Sequence, residues 1–173
     1  YDGFDYTVGS TLITATTNSG FGSWTIPSFQ SAGSTSDPLL VASPTWSLPA
    51  NFPAATGNAI EYVGGGDDPI IEIPNQGATG NIYSSFVFRV TNPGFFYSFA
   101  KVATNLTSLN YTSCVYITKV SETTFNLGIS ENNNTTNAVF TTTPFNTNTD
   151  ILIVIAYDIE NAVSSMWINP VVD

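Results

Sequence analysis

The stretch from Asp150 to Asp158 constrains the fold more than any other part of the chain, because the seven residues between these two aspartates are all apolar or aromatic. Both alternating sets of side chains avoid water, which is typical of a strand that is buried on both faces. A helix would be longer and contain fewer β-branched residues, and a membrane span needs about 20 apolar residues. We therefore predict a central strand with a layer of structure on each side.

The composition of the chain favours a single exported domain. Only 9% of its residues are charged, so Ser, Thr, Asn and Gly must supply the polar surface. The length suits one core, and we predict that residues 1–173 form a single jelly-roll domain. The sequence begins at Tyr1 without an initiator Met or a signal-peptide core, which predicts a mature secreted product or an excised domain. We expect an extracellular or cell-surface location.

Charge and missing residue types disfavour several classes of function. A net charge of −10 with three basic residues cannot furnish a phosphate-binding stripe, so we predict no nucleic-acid partner and no insertion into a membrane. The chain has no His, which removes the common zinc sites and histidine-based acid–base chemistry. Cys114 is alone and is interpreted as a small buried hydrophobe.

Short apolar or alternating runs, separated by Gly, Pro, Asn and Ser, recur along the chain and predict an all-β sandwich or barrel. Gly64–Pro69 and Glu131–Thr136 are predicted turns. The predicted strands are Phe4–Thr7, Gly22–Ile26, Leu39–Ala42, Thr45–Leu48, Ala59–Val63, Ile70–Ile73, Ile82–Val90, Phe95–Val102, Tyr111–Val120, Thr124–Ser130, Ala138–Thr142, Ile151–Asp158 and Ser164–Ile168.

Alternation within two of these runs predicts which side chains face the core. In Thr124–Ser130 the apolar set is Phe125, Leu127 and Ile129, so the other face of this strand is predicted to be wet. In Ile82–Val90 the core-facing set is Ile82, Phe86, Phe88 and Val90, and the opposite face carries Tyr83, Ser85, Val87 and Arg89. Two sheets that face each other satisfy both patterns.

Several sequence segments, taken in order along the chain, resemble a known family. They are Tyr1–Gly9, Gly20–Trp24, Gly57–Asp68, Ile82–Phe88, Tyr116–Ser130, Ile151–Tyr157 and Met166–Pro170. Together they are similar to the concanavalin A-like (laminin-G-like) jelly-roll modules of exported bacterial surface proteins. The resemblance implies a two-sheet antiparallel jelly-roll sandwich, and relatives of this kind bind glycans, mediate adhesion or accompany carbohydrate-active enzymes.

Two departures from the family pattern limit what the resemblance implies. Family members continue past the Trp-x-Asn-Pro phrase into a last strand beside the first one, whereas this sequence stops at Asp173, so we expect an incomplete sheet edge. Related laminarinases and agarases carry a Glu-x-Asp-x-x-Glu strand that is absent here. Catalysis is therefore not implied.

The tryptophans are the side chains that a sugar-binding face would use, because flat rings stack on sugar rings. Trp46 lies between two prolines in a loop-like stretch, and Trp24 ends a Gly-rich phrase. We predict Trp46 and Trp24 as ligand-binding residues, although core packing is an open alternative for both. Trp167 lies on a strand beside the most apolar segment, and we predict that it packs in the core.

Two acidic pairs carry alternative interpretations. Asp67 and Asp68 follow three glycines and could bind Ca²⁺ through carboxylate and backbone oxygens, with a plain turn as the alternative. No other cofactor is expected. Asp158 and Glu160 have a spacing that could place a glycosidase pair on one face, but they lead into a turn-rich connection. We interpret these two as solvated charges at a strand end.

The residues and the resemblance leave three functions open. The first is a non-catalytic extracellular module with a structural or adhesive role in a bacterial cell-surface or filament protein. The second is a carbohydrate-binding module that targets polysaccharide. The third is a glycoside hydrolase-like enzyme, which the lack of His and of a paired-carboxylate motif disfavours.

We also predict self-association by strand addition. A jelly roll without its last strand would leave Phe4–Thr7 or its neighbour with unpaired backbone groups, which template pairing with another chain. Head-to-tail exchange that does not close gives a filament. The alternative is an excised domain whose missing strand lies in residues outside this sequence.

Overall fold

The structure, a computed structural model, describes residues 2–13, 22–26, 37–63, 68–74, 76–94, 97–103, 111–131 and 134–171. The chain divides into two compact units. Unit 1 comprises Tyr1–Thr45, Pro53–Asn75 and Leu106–Ser108, and unit 2 comprises Trp46–Phe52, Gln76–Asn105 and Leu109–Asp173. A single domain over residues 1–173 stays a prediction.

The described residues form ten strands and one turn of 3-10 helix, Thr135–Asn137, and contain no α-helix. Every strand pair is antiparallel, so the all-β antiparallel prediction is confirmed. The strands are β1 (Leu39–Val41), β2 (Ala59–Glu61), β3 (Asn81–Arg89), β4 (Tyr97–Ala103), β5 (Tyr111–Lys119), β6 (Thr124–Ser130), β7 (Val139–Phe140), β8 (Phe145–Asn146), β9 (Asp150–Asp158) and β10 (Val163–Ile168).

The predicted central strand is confirmed as β9, the middle of a three-stranded sheet with the order β10-β9-β3. Its whole length pairs with β3, from Asp158 opposite Asn81 to Asp150 opposite Arg89. Side chains of both alternating sets are buried, for example Ile153 on one face and Leu152 on the other. The apolar run therefore fills the position that its sequence predicts.

The core of unit 2 receives side chains from both of the unit's sheets. The second sheet has the order β4-β5-β6-β7, and β8 also pairs with β6. Ile151, Ile153 and Ile155 from β9 pack with Phe125 and Leu127 from β6 in one cluster. Ile117, Phe86, Phe88, Phe145, Met166 and Ile168 surround this cluster. The predicted inward positions on β3 and β6 are thus confirmed except for Ile82, which is half-buried and not part of this cluster.

The prediction of a wet second face on β6 is wrong. Gly128 and Ser130 on that face are buried, and the Ser130 hydroxyl donates to the Tyr116 hydroxyl oxygen at 3.0 Å. Gly128 pairs with Phe140 of β7, whose ring lies where a Cβ on Gly128 would be, 2.5 Å from Cε1. A glycine in the strand thus lets an aromatic ring cover the backbone.

Unit 1 contains the pair β1-β2 and two isolated bridges, Thr11↔Leu39 and Thr25↔Ile70. Leu12 and Leu40 are fully buried in it. Gly57 has a positive φ of 85°, and a Cβ there would lie 1.8 Å from the carbonyl oxygen of Gly3. Only glycine allows this close approach of two backbone segments.

Several predicted strands of unit 1 and its border are wrong. Phe4–Thr7 is not a strand, because Phe4 has a positive φ of 53° and its carbonyl accepts the Tyr6 N–H in a tight turn. Thr45–Leu48 is also not a strand, and Gly22–Ile26 and Ile70–Ile73 contain isolated bridges, such as Thr25↔Ile70, instead of strands. The start of Phe95–Val102 lies outside the described residues. The short strand β8 was not predicted.

The two-sheet jelly-roll arrangement stays a prediction. The described strands form three sheets of two, three and five strands, which the jelly-roll pattern does not anticipate. The expected open edge at Phe4–Thr7 is not present in that form, since this segment is a turn. Any open edge of the described sheets therefore belongs to another segment.

We predict that Gly128→Ala lowers the free energy of unfolding by about 1–3 kcal/mol, because the added Cβ overlaps the Phe140 ring and the packed strand cannot relax freely. Urea denaturation measures the loss. In a Phe140→Leu background the same substitution should cost less, since the ring that it meets is gone. An equal cost in both backgrounds would contradict this packing account.

Candidate functional site

The outer face of the three-stranded sheet is the side that points away from the core of unit 2. Since alternate residues of β3, β9 and β10 pack in the core, the remaining residues of each strand lie on the opposite side. We define the outer face by the side chains of Tyr83, Ser85, Val154, Val163 and Trp167.

Three large side chains of the outer face are exposed to solvent. Tyr83 is 67% exposed, Val163 49% and Trp167 47%. The prediction that Trp167 packs in the core is wrong, because its strand neighbours Met166 and Ile168 take the inward positions and alternation turns the indole outward. An exposed Trp and Tyr on a rigid sheet are typical of a binding surface.

The register fixes the distance between the Cβ atoms of these two aromatic residues. Ser85, Val154 and Trp167 lie in one row across the sheet, and Tyr83 lies in the next row on the far strand. With a strand spacing of about 4.8 Å and a rise of about 3.4 Å per residue, the Cβ atoms of Tyr83 and Trp167 are about 12 Å apart. The side chains between them, Ser85, Val154, Ala156 and Ser165, are short and uncharged.

Trp46 lies at one end of the outer face. The guanidinium carbon of Arg89 is 5.4 Å from the centre of the Trp46 ring, a cation–π contact. Arg89 shares the alternation of Tyr83 and Ser85, which places this contact on the same side of the sheet. The structure thus brings the predicted ligand-binding residue Trp46 near the outer face, half-buried and against an arginine.

Asp150 anchors this end of the sheet. Its Oδ1 accepts the Arg89 Nε–H at 2.6 Å, and its Oδ2 accepts the Ser47 backbone N–H at 2.7 Å. Burial alone would raise the pKa of the carboxyl group, but the hydrogen bonds from Arg89 and Ser47 outweigh it and lower the pKa of Asp150. The Ser47 backbone N–H thus bonds a side chain instead of a neighbouring strand.

Trp24 is held inside unit 1 by an N-terminal cluster. Its indole N–H donates to Asp2 Oδ2 at 2.8 Å, and the Tyr6 hydroxyl donates to the same oxygen at 2.7 Å. The ring of Phe4 lies 6.1 Å from that of Trp24, and burial together with the Asp2 hydrogen bond raises the pKa of Tyr6. These contacts support a structural role for Trp24, and its ligand-binding role stays a prediction.

The calcium prediction at Asp67 and Asp68 stays a prediction, because Asp67 lies outside the described residues. Asp68 is exposed. Across the described ranges, no group of three or more His, Cys, Asp and Glu side chains is close enough to hold a metal ion.

Asp158 caps the turn that joins β9 to β10. Its Oδ1 accepts the backbone N–H groups of Glu160 and Asn161, each at 3.0 Å, and its Oδ2 accepts the Asn161 side-chain amide at 2.9 Å. The Asn161 hydrogen bonds lower the pKa of Asp158. Three hydrogen bonds to local groups give this carboxylate a structural role in the turn, in line with the strand-end interpretation.

A polar pocket beside β10 is a feature that the sequence analysis missed. The cavity has a volume of about 300 Å³. Its lining consists of Ile129, Ser130, Glu131, Asn134, Asn137, Val139 and Ser164. The Glu131–Thr136 phrase was predicted only as a turn, because a run of Asn and Thr has no spacing that distinguishes a pocket wall from a turn.

Comparison with known proteins finds no matching family model, no matching curated protein and no matching solved structure. The concanavalin A-like resemblance is therefore supported only at the level of an all-β chain with several antiparallel sheets. Within the part of the chain that the structure describes, no helix has the length and apolar character needed to cross a membrane.

We expect Asp150→Asn to lower the free energy of unfolding by about 1–3 kcal/mol at neutral pH, because the variant loses the charge that Arg89 and Ser47 stabilise. Folding lowers the pKa of Asp150, so its contribution is present above the ordinary carboxyl pKa of 3.8 and is lost as the pH falls through the lower folded-state value. Urea unfolding at a series of pH values should show the two proteins converging in acid.

Glu122→Gln is the matched control for this charge change. Glu122 also pairs with a base, Lys119, at 2.6 Å, but its side chain is 84% exposed and solvent screens the pair. The control should change stability little at any pH. An Asp150→Asn variant as stable as the control would contradict the anchoring role of the Arg89 contact.

Proposed function

We propose that the chain is a non-catalytic extracellular module with a structural or adhesive role in a bacterial cell-surface or filament protein. The observation that carries the proposal is the outer face, where Tyr83, Val163 and Trp167 are exposed on a sheet whose other side forms the core. Exposed apolar and aromatic side chains of this kind gain free energy when a partner surface covers them.

Composition supports the extracellular and adhesive parts of the proposal. The chain has only three basic residues and 9% charged residues, so a surface of Ser, Thr and Asn dominates. Exposed apolar side chains among such residues mark an interaction surface that does not require charged contacts. Self-association of the module, and its incorporation into an oligomer or filament, belong to the same proposal.

Carbohydrate binding is the second function that we propose, on the evidence of two exposed aromatic residues on one face of a sheet. The Cβ atoms of Tyr83 and Trp167 are about 12 Å apart, a separation that exceeds a single sugar ring and suits an extended polysaccharide. Trp46 at the end of the face would lengthen this platform. In this interpretation the module targets polysaccharide for a neighbouring protein.

The experiment uses the double variant Tyr83→Ala/Trp167→Ala. Retention of fluorescently labelled protein on an apolar bead surface and on a panel of insoluble polysaccharides is measured in parallel. Removal of two exposed aromatic side chains that a partner would bury should weaken retention at least about tenfold wherever the outer face makes the contact. The adhesive function is supported if the double variant loses retention on the beads and the wild-type protein binds no glycan. Carbohydrate binding is supported if the double variant loses retention on one polysaccharide specifically.

Tyr62→Ala is the matched control, since Tyr62 is 51% exposed but lies in unit 1 and not on the outer face. This variant should retain wild-type binding, and thermal unfolding should show that both variants remain folded. Hydrolysis of a β-glucan or agar that disappears when one carboxylate is changed would overturn the non-catalytic proposal.

A further inference from the structure

The outer edge of β10 carries backbone groups that no strand engages within the described residues. Asn169 N–H donates to the Leu152 carbonyl at 2.7 Å, which identifies Asn169 and Leu152 as a hydrogen-bonded pair. In an antiparallel ladder such pairs alternate, so the next residues of β10 that bond β9 are Trp167 and Ser165. The N–H and C=O groups of Ser164, Met166 and Ile168 therefore point away from β9.

An independent contact on the other side of β9 supports this alternation. Ile159 N–H donates to the Gly80 carbonyl at 2.9 Å, which continues the β3 register through odd-numbered residues of β9. Even-numbered residues of β9 must then bond β10. The direction of the free β10 groups thus follows from two separate hydrogen bonds.

This edge lacks the usual protection against strand pairing. Soluble proteins blunt exposed edges with Lys, Pro, bulges or very short strands. The six residues of β10, Val163–Ile168, include no charged residue and no Pro, and their pairing with β9 is regular. The edge is therefore competent to pair with an added strand.

The pocket lies directly beside this edge. Ser164 is part of its wall, and the Ser164 hydroxyl donates to the Thr112 carbonyl at 2.9 Å, so the side chain points toward the other sheet. A residue paired opposite Ser164 would point the same way, into the pocket. Ile129 and Val139, the latter 72% exposed, would meet an aliphatic side chain there.

The charge of the pocket favours a basic segment as the added strand. Among the described residues, no hydrogen bond or ion pair reaches the side-chain carboxylate of Glu131 or the side-chain amide of Asn137, and both line the pocket. The whole chain carries a net charge of −10 and only three basic residues. A second copy of the chain is thus a poor electrostatic match, and a segment from a different, basic protein is a better one.

We infer that the outer edge of β10 accepts an extended peptide segment from another protein, with aliphatic residues facing the pocket and a Lys or Arg paired with Glu131. Backbone hydrogen bonds to Ser164, Met166 and Ile168 supply the affinity, and the pocket supplies the selectivity. This inference deepens the proposed function, since it rests on the chain being an interaction module and names where a strand is added.

The probe is a short synthetic peptide of alternating threonine and valine with one lysine near its end. It is titrated into the isotope-labelled 173-residue chain, and amide chemical shifts and hydrogen exchange are recorded. Binding should protect the amides of Ser164, Met166 and Ile168. The amides of Tyr83, Ser85 and Val87 on the far edge of the sheet should not change.

Two N-methylated peptides form a matched pair that leaves the protein unaltered. Valines that face the pocket stand directly opposite the outward residues of β10, so their N–H groups make the strand bonds, and the threonine N–H groups point away. N-methylation of the valines should weaken binding at least about tenfold, whereas N-methylation of the threonines should not.

The lysine contact has its own test in Glu131→Gln. This variant should weaken binding of the lysine peptide but not of the same peptide with threonine in place of lysine. Glu122→Gln, which changes an exposed carboxylate at the opposite end of β6, should leave both affinities unchanged. Equal effects of the two variants would overturn the pairing with Glu131.

Other outcomes would overturn the site itself. These are no binding at millimolar peptide, protection at the β3 edge instead of β10, and self-association of the free chain that already protects the β10 amides. The last result would identify a second copy as the occupant. Retention on beads and polysaccharides tests the outer face separately, so a failed peptide experiment leaves that result standing.

Discussion

Burial of β9 on both faces is the constraint on which unit 2 depends. One alternating set, including Ile151, Ile153 and Ile155, forms the core with the second sheet. The other set includes Leu152 and Ala156, which are also nearly inaccessible. Leu152 and Ala156 lie on the same side of the sheet as Tyr83 and Trp167, so the solvent-exposed part of the outer face belongs to β3 and β10, which flank β9. The outer face and the open edge of β10 both follow from this order.

The two aspartates that bound β9 end the strand in different ways. Asp150 accepts one hydrogen bond from the Arg89 guanidinium and one from the Ser47 backbone N–H in the Trp46–Phe52 loop. These bonds hold the loop against the sheet. Asp158 accepts only local groups of the following turn. Both carboxylates are stabilised in their charged form, which lowers their pKa values. Asp150 thus bonds its register partner on β3, whereas Asp158 ends the strand in a turn.

Side-chain alternation predicted the elements of unit 2 well, because there the pattern of burial and the pattern of sequence coincide. The bounds of β6 match the predicted run, β9 differs from its run by one residue at one end, and β3 is displaced from its run by one residue at each end. Prediction failed at β6, where a ring distant in sequence, that of Phe140, covers Gly128. It also failed at Phe4–Thr7, where a positive φ at Phe4 makes a local turn that side-chain alternation does not encode. The outward position of Trp167 follows from alternation with Met166 and Ile168, whereas the apolar neighbouring strand wrongly indicated a core position.

Trp167 belongs to two surfaces at once, since its side chain lies on the outer face and its backbone lies within β10. A strand added at the edge of β10 would place every second one of its side chains on the same face as the Trp167 indole. The outer face would become one strand wider. Occupation of either surface therefore changes the environment of the other. By thermodynamic linkage, a peptide that alters the affinity for a surface ligand must have its own affinity altered by the same factor. If both proposals hold, an added strand and a ligand on the outer face would bind cooperatively.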